Sequence, residues 1–173
     1  KGLFPYLVPG LSGSGYWLLG IAGVAGLLVS IVLHEFSHSL VARRYGLPIH
    51  GISLFLFGGV AEMEDEPPSP KAEFMMAIAG PLASFAIAGI LYQFIRGEGA
   101  LASGWLGAVL FYLAYLNLVL GVFNLLPAYP LDGGRVLRSA LWAWTRNIDR
   151  ATYWASSIGR GFGFVLMGIG FIW

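Results

Sequence analysis

The chain has 173 residues, of which 57% are hydrophobic and 11% are charged. Soluble domains carry about 25% charged residues, so the composition excludes an ordinary soluble domain and favours a membrane protein. A net charge of +1 without a basic run argues against a nucleic-acid partner, and the absence of cysteine excludes disulfides and thiolate metal sites.

Four apolar segments approach the roughly 20 residues that a membrane-spanning helix needs. They run from about residue 16 to 42, from 74 to 95, from 105 to 126, and from 151 onward, the last containing Arg160. The segments predict an all-α polytopic membrane protein. Glycines in the first and fourth segments are expected to pack against neighbouring helices: Gly20, Gly23, Gly26, Gly159, Gly161 and Gly163.

The segment ISLFLFGGVAEM, from Ile52 to Met63, separates the first two spans. Its aromatic and β-branched residues, followed by Gly58-Gly59, predict a small membrane-associated β-hairpin. Backbone groups at a strand edge are costly to leave unpaired in lipid, so the edge must face water, a neighbouring element or a guest chain.

The strongest signal is the pentapeptide HEFSH, which begins at His34 and ends at His38. On a helix, residues four apart share a face, so both imidazoles can bind one metal ion, with Glu35 beside it as a general base. A pair of core histidines with a surface glutamate is the alternative. It is disfavoured because ionisable groups at the end of a long uncharged run are costly in lipid unless they face a cavity, a partner or a metal.

A catalytic zinc site usually has three protein ligands, so two histidines are not enough. The third histidine, His50, is interpreted as a polar residue at the membrane interface. Asp132 follows the third span and lies on the same half of the membrane as His38; from the residues alone it is either a ligand or the N-cap of a helix starting near Arg135. Most other acids lie in polar loops and are expected to be solvated: Glu62, Glu64, Asp65, Glu66, Glu73, Glu98 and Asp149.

Four motifs occur in one order along the chain: HEFSH, FGGVAEM, EPPSPKAEFMMAIAGPLAS and NLLPAYPLDGGRVLRS. Together they resemble the site-2 protease family of intramembrane metalloproteases, over roughly residues 28–163. The resemblance implies core transmembrane helices around a buried zinc site. It also implies hydrolysis of peptide bonds within transmembrane segments of membrane-anchored regulatory proteins.

The same resemblance implies roles for five residues. One Zn²⁺ per chain would be bound by His34, His38 and Asp132, and Glu35 would be the catalytic acid and base. Asn124 would polarise or hold the substrate carbonyl, although by itself it is equally interpreted as a polar residue that bonds across helices. We expect the substrate to add as an extended strand along the hairpin, from Ser53 to Met63, while a hairpin that only plugs the bundle is the alternative.

Loop charges predict the orientation of a multi-pass protein in the bilayer. The positive-inside rule assigns the side that carries most loop cations to the cytoplasm, and HEFSH and LDGG lie on that half. The active site is therefore expected towards the cytoplasmic side. The cations that define this side are Arg43, Arg44, Lys71, Arg135, Arg138, Arg146 and Arg150.

The chain also departs from the family pattern. A helix that usually precedes the HExxH helix is reduced to about ten residues, and no PDZ domain is inserted between the motifs. Residues 1–173 are expected to be a single protease core truncated at both ends. Members of the family with this compact core often carry regulatory CBS domains after it, and none is present in residues 1–173. A channel or transporter and a catalytically inactive scaffold are the alternative functions, and nothing in the sequence predicts an oligomeric state.

Overall fold

The computed structural model describes residues 2–47, 52–55, 58–61, 66–97 and 104–172, with the strands described by their backbone. His50, Phe57, Met63 and several acids of the sequence analysis (Glu62, Glu64, Asp65 and Glu98) lie outside these residues. The elements in chain order are α1 (Leu3–Leu7), α2 (Gly13–Arg44), β1 (Ile52–Phe55), β2 (Gly58–Ala61), α3 (Pro70–Arg96), α4 (Gly104–Asn124), α5 (Asp132–Thr145) and α6 (Ile148–Ile172).

Three of the described helices, α2, α3 and α4, are long and apolar enough to cross a membrane. They pack against one another, and their outward side chains remain uncovered, as for Trp17 and Ile21, which are 76% and 61% exposed. Such an apolar outer surface suits a lipid surrounding. The fourth predicted span corresponds to α6, a helix of 25 residues that is not one of these three. Arg160, within α6, is exposed.

Helix α3 is the central element, since it contacts α2, α4 and α5. Ser69 caps its start by accepting a hydrogen bond from the backbone N–H of Ala72 (3.2 Å), and Pro70 occupies the first turn, where a missing N–H is harmless. Because the helix begins there, Glu73 lies inside it and is fully buried. The prediction that Glu73 is solvated is wrong.

The turn between α4 and α5 is packed through glycines. A Cβ atom at Gly133 would lie 2.2 Å from the Leu125 carbonyl oxygen, and one at Gly134 would lie 2.8 Å from the carbonyl carbon of Ala128. From the other side of the turn, a Cβ atom at Gly159 of α6 would lie 3.2 Å from the Cα atom of Ala128. The start of α5 is therefore held against the backbone of the turn without intervening side chains.

The predicted glycine packing holds for some positions only. Gly23 faces the Tyr112 ring and Gly26 faces the Leu113 side chain, both on α4, and Gly159 packs on the turn. For three other glycines the prediction is wrong, because nothing in the described part of the chain lies within 4 Å of an added Cβ atom: Gly20, Gly161 and Gly163.

The two strands pair antiparallel, with Ile52 opposite Ala61 and Phe55 opposite Gly58. Gly58-Gly59 thus begins the second strand rather than forming the turn. Both strands contact α2, the helix that carries the HEFSH motif.

The close packing at the start of α5 predicts the effect of a single methyl group. Gly133→Ala should lower the free energy of unfolding by about 1–3 kcal/mol or more, because the new atom meets backbone that cannot rotate away. Gly163→Ala is the matched control: it meets nothing within 4 Å, and alanine is the better helix former. Thermal unfolding of both variants in detergent, followed by tryptophan fluorescence, distinguishes them. Equal melting temperatures would contradict the packing described.

Candidate metal centre

Two helices that are distant in sequence bring three ligand atoms together. His34 and His38 lie one turn apart on α2, with ring centroids 4.9 Å apart. Asp132 is the first residue of α5, and its Oδ2 atom lies 3.1 Å from Nε2 of His34 and 3.2 Å from Nε2 of His38. The ligand atoms of the three residues lie within 4.8 Å of one another, which is close enough to hold one metal ion.

The structure excludes one of the two interpretations of Asp132. Leu131 occupies the N-cap position of α5 without a side-chain cap, so the interpretation of Asp132 as the cap is wrong. The Asp132 carboxylate instead reaches the Nε2 atoms of both histidines, and a carboxylate binds a metal ion in its ionised form.

The other ring nitrogen of each imidazole, Nδ1, contacts a residue of α3. Nδ1 of His38 lies 2.6 Å from the Met76 carbonyl oxygen, which can only accept, so Nδ1 carries the hydrogen and Nε2 presents a lone pair. Nδ1 of His34 lies 2.9 Å from Oγ of Ser84. Contacts of this kind fix the orientation of metal-binding histidines.

The space for the ion is provided by a missing side chain. A Cβ atom at Gly80 of α3 would lie 2.2 Å from Nε2 of His38 and 2.4 Å from Nε2 of His34. The next residue is Pro81, which has no backbone N–H group and so donates no helix hydrogen bond to the Ala77 carbonyl. Two nitrogens and one oxygen around a small, buried volume suit zinc, which takes such ligands in catalytic sites and keeps one position open.

Glu35 is the third functional residue of the HEFSH motif. Its residue surface is 8% exposed, and its charge acts on His38. It follows His34 in the chain, and its role as general base stays a prediction.

Asn124 is not brought to the ligands by a described contact. Its amide donates a hydrogen bond to the Leu120 carbonyl oxygen of its own helix (3.1 Å), and it is half-buried. The alternative interpretation, a polar bond across helices, applies instead to Asn117. That fully buried residue donates to Oγ of Ser30 on α2 (2.9 Å) and to the Leu113 carbonyl oxygen (2.9 Å).

Sequence reasoning missed several residues around the site. For three of them the available signal was a polar or glycine residue within an apolar span, which is costly or weakening unless it serves a contact. Met76 acts through its backbone carbonyl, so its side chain gives no signal. The missed residues are Met76, Gly80, Ser84 and Asn117.

The tight approach of α3 predicts that a methyl group at position 80 displaces the ion. Gly80→Ala should reduce the metal content of protein loaded with Zn²⁺ or Co²⁺ to near zero, since the added atom occupies the space between the imidazoles. Gly89→Ala in the same helix, where nothing lies within 4 Å, should retain full metal content. Plasma mass spectrometry of the purified variants measures both. Full occupancy in Gly80→Ala would show that the ion sits elsewhere.

Comparison with known proteins identifies the family of the chain. The model of peptidase family M50 matches residues 22–98 and 94–167. Rip3 of Mycobacterium tuberculosis is 40% identical over 169 residues, covering 97% of this chain and 43% of that protein. Zinc metalloprotease MJ0392 of Methanocaldococcus jannaschii is 40% identical over 146 residues, covering 84% of this chain and 42% of that protein.

The chain thus spans less than half the length of these relatives. The solved structure of a site-2 protease from Methanocaldococcus jannaschii superposes with a TM-score of 0.69 at 35% identity, over 98% of this chain and 73% of that chain. The family predicted from the sequence is confirmed: the chain belongs to peptidase family M50, the site-2 proteases, and is a multi-pass integral membrane protein.

Proposed function

We propose that the chain is the membrane-embedded core of a zinc endopeptidase that hydrolyses peptide bonds within transmembrane segments of membrane-anchored regulatory proteins. The observation that carries this proposal is the buried meeting of His34, His38 and Asp132 at 3.1–3.2 Å within apolar helices. The family and the zinc metalloprotease MJ0392 support it. Residues 1–173 are proposed to form a single catalytic core.

Each residue of the centre has a task in this reaction. Zinc held by His34, His38 and Asp132 would lower the pKa of a water molecule to about 7 and polarise the scissile carbonyl. The Glu35 carboxylate takes the proton of the attacking water and passes it to the leaving amine nitrogen. The Met76 carbonyl keeps the proton of His38 on Nδ1, so that Nε2 remains a ligand.

Asn124 is proposed as a donor to the substrate carbonyl. Its amide lies at the end of α4, half-buried, and its present hydrogen bond is to a carbonyl of its own helix. Rotation about the side-chain bonds would release the amide towards a substrate. Removal of one such donor costs about 100- to 1000-fold in rate in other hydrolases.

Substrate binding is proposed to use the edge of the hairpin. A transmembrane helix hides its carbonyls in its own hydrogen bonds, so a scissile segment must unwind before it is cut. An unwound segment could add as a strand along the hairpin and regain its backbone hydrogen bonds there. The contact of both strands with α2, the helix that carries two of the ligands, supports this proposal.

The active site is proposed to lie towards the cytoplasm. Arg43 and Arg44 end α2 between one and two turns after His38, and Lys71 lies in the first turn of α3. By the positive-inside rule these cations mark that end as cytoplasmic. A channel or transporter is not favoured, because such proteins need ionisable groups along several spans. An inactive scaffold is not favoured either, since the glutamate and all three ligands are present.

One substitution should remove catalysis while leaving metal binding intact. Glu35→Gln should retain zinc, because the three ligands remain, and should lower cleavage of a model transmembrane substrate by about 100- to 10,000-fold, because the base is lost. Glu66→Gln, at an exposed position, is the control and should cleave normally. Cleavage is followed by gel assay in proteoliposomes and metal by mass spectrometry. Turnover within a few-fold of the unmodified protein would mean that Glu35 is not the base.

The strand register identifies the best position for testing the hairpin edge. Phe55 and Gly58 pair across a two-residue connection, so hydrogen-bonded pairs alternate from there, and the next is Ser53 with Val60. The N–H of Val60 therefore points towards β1, whereas that of Ala61 points away from it.

Ala61→Pro should remove one outward donor while leaving the ladder intact. Loss of one hydrogen bond corresponds to about a 3- to 10-fold reduction in cleavage efficiency, with zinc content and melting temperature near those of the unmodified protein. Ala61→Val keeps the donor and is the control. Val60→Pro should instead disturb the hairpin itself. If cleavage by Ala61→Pro is unchanged, the hairpin serves packing only.

A further inference from the structure

A second buried ionic contact lies apart from the metal ligands. Glu73 of α3 is fully buried, and both Nε and Nη2 of Arg138 on α5 donate to its Oε1 atom. The guanidinium carbon of Arg138 also lies 5.9 Å from the centre of the Tyr129 ring, which belongs to the turn between α4 and α5. The contact therefore joins α3, α5 and the turn that leads into α5.

Glu73 shares one face of α3 with the residues that build the metal centre. Positions 73, 76, 80 and 84 are separated by three, four and four residues, so they form a single stripe along the helix. On this stripe the Met76 carbonyl and Ser84 orient the two imidazoles, and Gly80 leaves room for the ion. The same stripe receives Arg138 one turn before Met76. Helix α3 thus contacts α2 and α5 through one set of polar positions.

The first turn of α5 is packed against the turn that precedes it, and this packing does not by itself set the register of α5 against α3. Gly133 and Gly134, which follow Asp132, have no side chains and lie close to the backbone of that turn. Within the described ranges, Arg138 is the one residue of α5 besides Asp132 whose side chain forms an ion pair with another helix. The contact of Arg138 with Glu73 is therefore a specific one that can set the register of α5 against α3.

Stability alone does not account for a buried ion pair of this kind. The desolvation of both groups offsets their attraction, and well-packed apolar residues of similar volume often serve stability equally well. The geometry is also incomplete as a stabilising contact, since Oε2 of Glu73 is buried without a hydrogen-bond partner among the described residues. In some proteins a buried polar or ionic contact instead selects one register over others.

We infer that Glu73 and Arg138 are positioning residues: their ion pair fixes α5 against α3 in the register that brings Asp132 to the two imidazoles. The inference rests on the proposed function in one respect, namely that Asp132 binds zinc. It adds that the affinity for zinc is set by a contact outside the ligand set.

The single substitutions test the effect on metal binding. Glu73→Gln and Arg138→Met should each weaken zinc binding by about 10- to 100-fold, the range found when groups that orient ligands are removed. Affinity is measured by competition with a chelator in detergent, and the visible spectrum of the Co²⁺-loaded protein reports the changed ligand geometry. Arg135→Met, which removes the neighbouring arginine of α5, should leave both unchanged.

A double substitution separates positioning from stability. Glu73→Leu combined with Arg138→Met replaces the pair by apolar groups, so the melting temperature should return to near that of the unmodified protein. Under the inference, zinc affinity should stay low even then. The inference is overturned if affinity recovers together with the melting temperature, or if Glu73→Gln binds zinc normally. Failure of the unmodified protein to bind zinc would overturn the proposed function as well.

Discussion

The contact of two imidazoles with one carboxylate inside an apolar helix bundle is the constraint on which the rest of the structure depends. Any one of these groups, left alone in lipid, would cost several kcal/mol. His34 and His38 come from α2 and Asp132 from α5. Two helices far apart in sequence must therefore bring these residues to the same depth. Helix α3 contacts both of these helices. One face of α3 carries the Met76 carbonyl, the Ser84 hydroxyl, Gly80 and the Glu73 carboxylate.

The features that the sequence predicts well are those that depend on near neighbours. The spacing of His34 and His38 is a property of one helix, and the three apolar spans follow from composition. The role of Asp132 could not be decided in this way, because a carboxylate at the start of a helix serves equally as a cap or a ligand. Only the fold, which places Leu131 at the cap, separates the two. The resemblance to a family implied the ligand role, and the fold brings Asp132 to the two histidines.

The errors and omissions concern contacts between helices. Glu73 looked solvated because it follows a proline-rich polar loop, yet α3 begins before it and turns it towards Arg138. A charge count cannot find this pair, since its members are 65 residues apart. Likewise, Asn117 and Asn124 are seven residues apart on the same helix, and nothing in their local sequence shows that one reaches across to α2 while the other bonds within α4.

Gly80 gives the centre a property that the two motifs carrying the ligands do not contain. The ligands stand in α2 and α5, but the volume they enclose is bounded by the absence of a side chain on α3. A relative that kept both motifs and carried a larger residue here would have the signature of a peptidase without the room to act as one. Within this family, active and inactive members should therefore be distinguished by the helix that contributes no ligand at all.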